Sequence, residues 1–110
     1  MDSIIIKASV YFNSKKAGSL WKSEEIYYFQ YDSEYLSDNQ AVAISFSLPL
    51  ESNMYKSENL FPFFEGLVSE GWLLSQQSIN QKIDEDDYFT LLLENGRDLV
   101  GAVTIVRDFI

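Results

Sequence analysis

Cysteine and histidine are both missing from the 110 residues. Without cysteine there is no disulfide, thiolate nucleophile, zinc knuckle or iron–sulfur ligand. Without histidine there is no Ser-His-Asp or Cys-His catalysis, no H-E-x-x-H metal site and no imidazole pH switch. Cations are scarce too: 8 Lys and Arg face 17 Asp and Glu, a formal charge of −9. A surface of that sign repels phosphate backbones, which argues against direct nucleic-acid binding. Proline and glycine are few, 2 and 5, and build no linker, repeat or low-complexity tract. Long apolar runs are also lacking. The opening stretch MDSIIIKASVYF is broken by Lys7 and has no basic leader. A secretory signal needs a longer apolar run, and a spanning helix needs about 20 such residues. The chain reads as cytoplasmic. What is present is material for one core, since 46% of residues are hydrophobic and 15% aromatic. One domain over 1–110 is expected at this length.

Periodicity divides the chain into strands first and helices second. Residues 4–12 (IIIKASVYF) put Ile6, Ala8, Val10 and Phe12 on one side by period two. A polar turn at 13–16 leads to a second strand over 17–22, and residues 25–31 (EIYYFQY) make a third. That third strand has aromatics on both faces, as expected of a covered or curled sheet. Short turns favour an antiparallel meander. Residues 32–36 read as a turn or one helical turn. Residues 41–48 alternate again, with Val42, Ile44, Phe46 and Leu48 on one face until Pro49 ends the strand. Leu60, Phe63, Phe64, Leu67 and Val68 then follow helical spacing. Pro62 belongs in the first turn, with Asn59 as N-cap, and Gly66 permits another backbone to approach. A second helix is expected over 72–82, with Trp72, Ile79 and Ile83 on one stripe. A third follows the acidic run 84–87, with Asp84 as N-cap and Asn95-Gly96 as a left-handed C-cap. Residues 101–106 close the chain as a strand. The fold class is α+β: about five mostly antiparallel strands in a curled sheet, with about three short helices.

No catalytic constellation emerges. Gly66 and Gly71 have phosphate-loop spacing, but Trp72 and Leu73 stand where Lys and Ser or Thr must hold the phosphates and magnesium. Gly96-Arg97-Asp98 has two residues of a kinase catalytic loop without the glycine-rich loop, V-A-I-K strand or D-F-G that must accompany it. It reads as a salt-bridged turn into the last strand, with Arg97 pairing Asp98 or another nearby acid. Asp84, Glu85, Asp86 and Asp87 are contiguous, whereas a calcium loop spaces its ligands alternately. No metal, cofactor or catalytic residue is assigned. Trp72 is the residue with two readings. It is a core anchor if the break at Ser69-Glu70-Gly71 folds inward, or a protruding contact if that break lies at the surface.

Three co-ordered segments resemble the N-terminal subdomain of HipA-type Ser/Thr kinases. Residues 44–50 (ISFSLPL) are similar to its L-S-L-S-L-P-L, and residues 63–71 (FFEGLVSEG) to F-F-D-G-L-L-P-E-G. Residues 96–103 (GRDLVGAV) are similar to G-R-D-x-x-G-A-V, and the region from Val10 to Gly18 to the first hairpin. Ser69 departs from the family's usual proline, and Trp72 has no counterpart expected in the full-length kinases. The family's catalytic residues lie beyond the matching region, so none carries over. A freestanding version of this subdomain resembles the HipS-type antitoxins of three-component HipBST systems. That resemblance implies a non-catalytic domain that binds and neutralises a HipT-like kinase toxin, with a HipB-like helix-turn-helix protein supplying operator binding. On this reading Ser69, Glu70, Gly71 and Trp72 form the partner interface, with Trp72 at the kinase cleft. Gly96, Arg97, Asp98 and Gly101 form a structural turn. The rival readings are a regulatory subdomain cut from a full HipA-like kinase, and an acidic mimic of nucleic acid.

Overall fold

The computed structural model describes residues 5–68, 79–84, 87–99 and 102–108, with Asp98 as backbone only. Three strands follow one another as an antiparallel meander: β1 Ile5–Phe12, β2 Lys15–Ser23 and β3 Ile26–Tyr31. Both hairpins turn on two residues with positive φ, Asn13 (49°) with Ser14 (70°) and Glu24 (52°) with Glu25 (68°). Positive φ at both turn positions matches the right-handed twist of the flanking strands, which is why these tight turns pair the strands so closely. The register slips once, between Val10 and Tyr11, leaving Ala17 as the extra residue of β2. Ala17 is fully buried there, and its carbonyl accepts the Asp32 N–H at 2.8 Å. A β-carbon on Gly18 would run into the backbone carbonyl of Gln30, so this position needs glycine for close strand approach.

Two later strands extend the sheet at its edges, β4 Tyr55–Ser57 beside β3 and β5 Val103–Arg107 beside β1. The order is β4-β3-β2-β1-β5, antiparallel throughout and unclosed. Three short helices are described: α1 Ser33–Ser37, α2 Pro62–Glu65 and α3 Tyr88–Asn95, the last running into a 3-10 turn over Gly96–Asp98. The fold is the expected α+β class. The core lies on the sheet face that carries Ala8, Val10, Leu20, Phe29, Tyr31 and Ile105. Phe29 is its centre, edge-on to Tyr31 at 4.9 Å, tilted against Phe64 of α2 at 5.5 Å and stacked on Tyr55 at 6.4 Å. Phe89, Leu91, Leu92 and Leu93 bury α3 in the same core. On the other face Trp21 and Tyr28 stack across β2 and β3 at 5.4 Å, which accounts for aromatics on both sides of β3.

Several expectations change. Residues 41–48 form no ladder strand: a single bridge joins Ser45 to Leu48, and only Ile44 (6% exposed) and Leu48 (2%) turn inward. Val42 (47%) and Phe46 (106%) face solvent. The backbone groups that a ladder would pair are taken by tyrosine hydroxyls. Helix α2 starts at Pro62 with Phe61 as N-cap rather than Asn59. Proline holds the preceding residue in extended geometry, so Phe61 (φ −56°, ψ 136°) and everything before it stay out of the helix. Gly66 caps that helix, and among the described residues a β-carbon there would meet only its own turn, the Pro62 carbonyl at 3.3 Å and the Phe63 carbonyl at 3.5 Å.

The N-cap of α3 is Asp87, not Asp84: its carboxylate accepts the Thr90 N–H at 3.2 Å and the Thr90 hydroxyl at 2.8 Å. Gly96 is right-handed (φ −66°) rather than a left-handed cap, because the chain tightens into the 3-10 turn. Its lack of a side chain serves contact instead. A β-carbon would sit 2.5 Å from the Ile105 carbonyl oxygen and 2.6 Å from the Ile105 Cβ. Of the helix expected over 72–82, residues 79–81 are helical, and Lys82 leaves it with φ 58°. Ile79 is exposed and Ile83 half-buried, so these two do not share a buried stripe.

Candidate interaction surface

The four expected interface residues, Ser69, Glu70, Gly71 and Trp72, lie outside the described residues, as does Gly101. The chain reaches them from α2 through Val68, which is buried and donates its N–H to the Glu65 carbonyl at 3.2 Å. Gly96, Arg97 and Asp98 form the 3-10 turn that carries α3 into β5. Arg97 is exposed there and pairs with no acid whose side chain is described; the Asp98 carboxylate, its first expected partner, lies outside the described atoms. Nearby, Arg107 pairs with Glu94 at 3.1 Å. That contact joins α3 to β5 on the surface, where such pairs contribute little.

Residues 41–54 form a long loop held by three phenols. Tyr31, buried in the core, donates its hydroxyl to the Leu48 carbonyl at 2.5 Å and accepts the Ile44 N–H at 3.0 Å. Tyr35 on α1 donates to the Val42 carbonyl at 2.7 Å, and Tyr55 on β4 to the Pro49 carbonyl at 2.7 Å. Gln30 adds an amide donor to the Ser52 carbonyl at 3.0 Å. At the tip, the Leu48 N–H closes a turn on the Ser45 carbonyl at 3.1 Å, and the Ser45 and Ser47 hydroxyls meet at 3.0 Å. The ring of Phe46 stands outward between those two serines. Burial pushes the Tyr31 phenol above its ordinary pKa, against the opposing pull of the Ile44 N–H. Tyr55 is raised as well, first by burial and then by the neighbouring Glu51 carboxylate. Both phenols are therefore neutral donors at ordinary pH. Asp38 moves the other way, lowered first by the Gln40 N–H and then by the Lys15 ammonium.

A second feature is a cavity of about 300 Å³ between the β2–β3 turn, the start of α2 and the start of α3. Glu25, Glu58, Glu65 and Asp87 supply carboxylates to its wall, and Tyr27 and Phe89 supply rings that meet edge-on at 5.5 Å. Asp87 is already committed to capping α3. Among the described residues no three acids are grouped to hold a metal ion. The cavity thus offers negative potential and aromatic wall, with no nucleophile–base pair among its described lining residues. No described helix is long and apolar enough to cross a membrane. Sequence reasoning missed the exposure of Phe46. The available signal was an aromatic placed between two serines just before Leu48-Pro49, a composition that suits a turn as well as a strand.

Comparison with known proteins places this geometry. The family model of the HipA N-terminal domain matches residues 8–106. A Haemophilus influenzae protein described only as uncharacterized is 35% identical over 108 residues, covering 98% of this chain and 98% of its own length. The solved structure of the N-terminal domain of HipA toxin superposes with a TM-score of 0.75 at 31% identity, covering 99% of this chain and 98% of that one.

Proposed function

The chain belongs to the HipA N-terminal domain family, and from that premise we propose that it is an antitoxin of the HipS type. In this reading it binds a HipT-like Ser/Thr kinase toxin at or near the active site and neutralises it without chemistry of its own. A HipB-like helix-turn-helix protein completes the complex and supplies the DNA contacts. The observation that carries the reading is the end-to-end kinship. The match takes in 98% of the Haemophilus influenzae relative, so there the domain makes up a whole polypeptide. A domain without histidine, cysteine or the glycine-rich loop of a phosphoryl transferase is suited to acting through what it binds.

Trp72 is the proposed principal contact, with Ser69, Glu70 and Gly71 beside it. An indole combines a large apolar area with one N–H donor, which suits a pocket in a partner. Glu70 next to it fits a basic residue near a nucleotide site. The test is titration of kinase autophosphorylation with the wild-type chain and with Trp72→Ala, with thermal unfolding measured on the same preparations. Trp72→Ala is expected to lose about 2–4 kcal/mol of binding and all neutralisation while unfolding at the wild-type temperature. A variant that unfolds early, by about 3–5 kcal/mol, yet inhibits fully when folded places Trp72 in the core instead. A wild-type chain that binds the kinase and leaves its activity unchanged supports the regulatory-subdomain reading.

A further inference from the structure

We infer that the Phe46 loop is a second docking element of this chain, built to seat a phenyl ring in an apolar pocket rimmed by lysine or arginine on a partner protein. The inference rests on the binding-domain reading above, but on different residues. Phe46 is fully exposed, and Val42, Leu50 and Met54 around the same loop are 47%, 39% and 48% exposed. Isolated apolar side chains on a surface are ordinary, whereas four large ones within residues 42–54 concentrate apolar surface on one loop.

The loop's backbone is not free to fold these residues away. The hydroxyls of Tyr31, Tyr35 and Tyr55 fix the carbonyls of Leu48, Val42 and Pro49, and the buried side chains of Ile44 and Leu48 anchor both sides of the tip. A ring held outward in advance loses little conformational freedom on binding, which is the condition for a strong contact from a small area.

Charge selects the occupant. Glu34, beside Tyr35 on α1, and Glu51, next to Leu50 and close to Tyr55, are exposed acids flanking the patch. The other acids near it, Asp32 and Asp38, are balanced by Lys16 at 3.8 Å and Lys15 at 3.3 Å. The patch is therefore apolar at the centre and negative at its border. A second copy would bring the same acidic border, and another −9, against it. A partner with a basic rim gains from both features.

The experiment measures affinity of the whole chain for the purified HipT-type kinase of the same genome, for wild type, Phe46→Ser, Phe46→Leu and the pair Glu34→Lys with Glu51→Lys. Because Phe46 touches no core residue, Phe46→Ser should unfold at the wild-type temperature. It is expected to weaken binding at least about tenfold, with Phe46→Leu retaining most of it. The double charge reversal should slow association and flatten its salt dependence. Phe46→Ser binding as tightly as wild type overturns this inference and leaves the antitoxin reading standing. A wild-type chain with no affinity for the kinase overturns both. A wild-type dimer in sedimentation that Phe46→Ser dissociates also overturns it, by making a second copy the occupant.

Discussion

Tyr31 does three jobs with one side chain. Its ring packs edge-on to Phe29 and stacks on Tyr35 at 6.0 Å, while its hydroxyl serves both the Ile44 N–H and the Leu48 carbonyl. Tyr31→Phe keeps the ring and strands two backbone groups beside the buried Ile44 and Leu48. Loss of about 1–3 kcal/mol in urea unfolding is expected, since an unpaired buried donor or acceptor costs its full desolvation. The same residue sets an alkaline limit. Burial raises its phenol above the ordinary value, so above pH 10 the unfolded chain releases a proton that the folded chain keeps. Stability is then fully present below about pH 10 and falls as pH rises toward the folded pKa. Tyr31→Phe should be less stable at pH 7 and should lose less than wild type between about pH 9 and 11. An equal alkaline slope in both proteins would assign the limit to Tyr55, which is raised as well.

At the scale of elements, what the sequence discloses depends on how local the deciding contact is. The first two hairpins are legible because each strand alternates over 6 residues or more and each turn is polar and short. The segment 41–48 alternates just as well, yet its partners are phenols contributed by Tyr31 and Tyr35, which are 13 and 7 residues away from the groups they hold. Period two in the side chains cannot distinguish a ladder from such a braced loop. Strand β4 has only 3 residues, too few to show a period at all. The proposed contact residues differ in the same way: a tryptophan after a glycine break is visible in sequence, whereas the exposure of Phe46 depends on the tertiary brace. Helix α3 shows the finer limit. Four consecutive acids announce a helix start, but only the register of Phe89 and Leu92 against the core decides which acid caps it. Asp87→Ala should therefore cost about 1 kcal/mol of unfolding free energy, and Asp84→Ala less than about 0.5 kcal/mol. Equal losses from the two would mean that general helix-end charge, not the Thr90 hydrogen bonds, is what the acids provide.

For the molecule as a whole, the relevant quantity is the excess of negative charge. Lys15, Lys16, Lys22 and Arg107 each pair with a carboxylate within 4.0 Å. Every such pair is neutral, so pairing removes cations and anions equally and leaves the net −9 directed at solvent. These contacts sit at the surface and stabilise the fold only slightly. A domain of this size gains nothing in packing from so large an imbalance, and self-repulsion works against its compactness. The imbalance is useful for attracting a basic surface and for keeping copies of the chain apart. Attraction of that kind acts before contact, so it belongs to the association rate, and ions screen it over about 10 Å at 0.1 M salt. Association with the proposed kinase partner should accordingly slow about tenfold or more between about 0.05 and 0.5 M salt, while dissociation, set on this reading by the apolar anchors, should change much less. Stopped-flow mixing over that range separates the two rates. A flat association rate would reduce the acidity to a solubility device, and it would remove the charge argument for a basic rim around the Phe46 pocket. A dissociation rate that rises steeply with salt would instead place charged groups, rather than Trp72 or Phe46, at the centre of the contact.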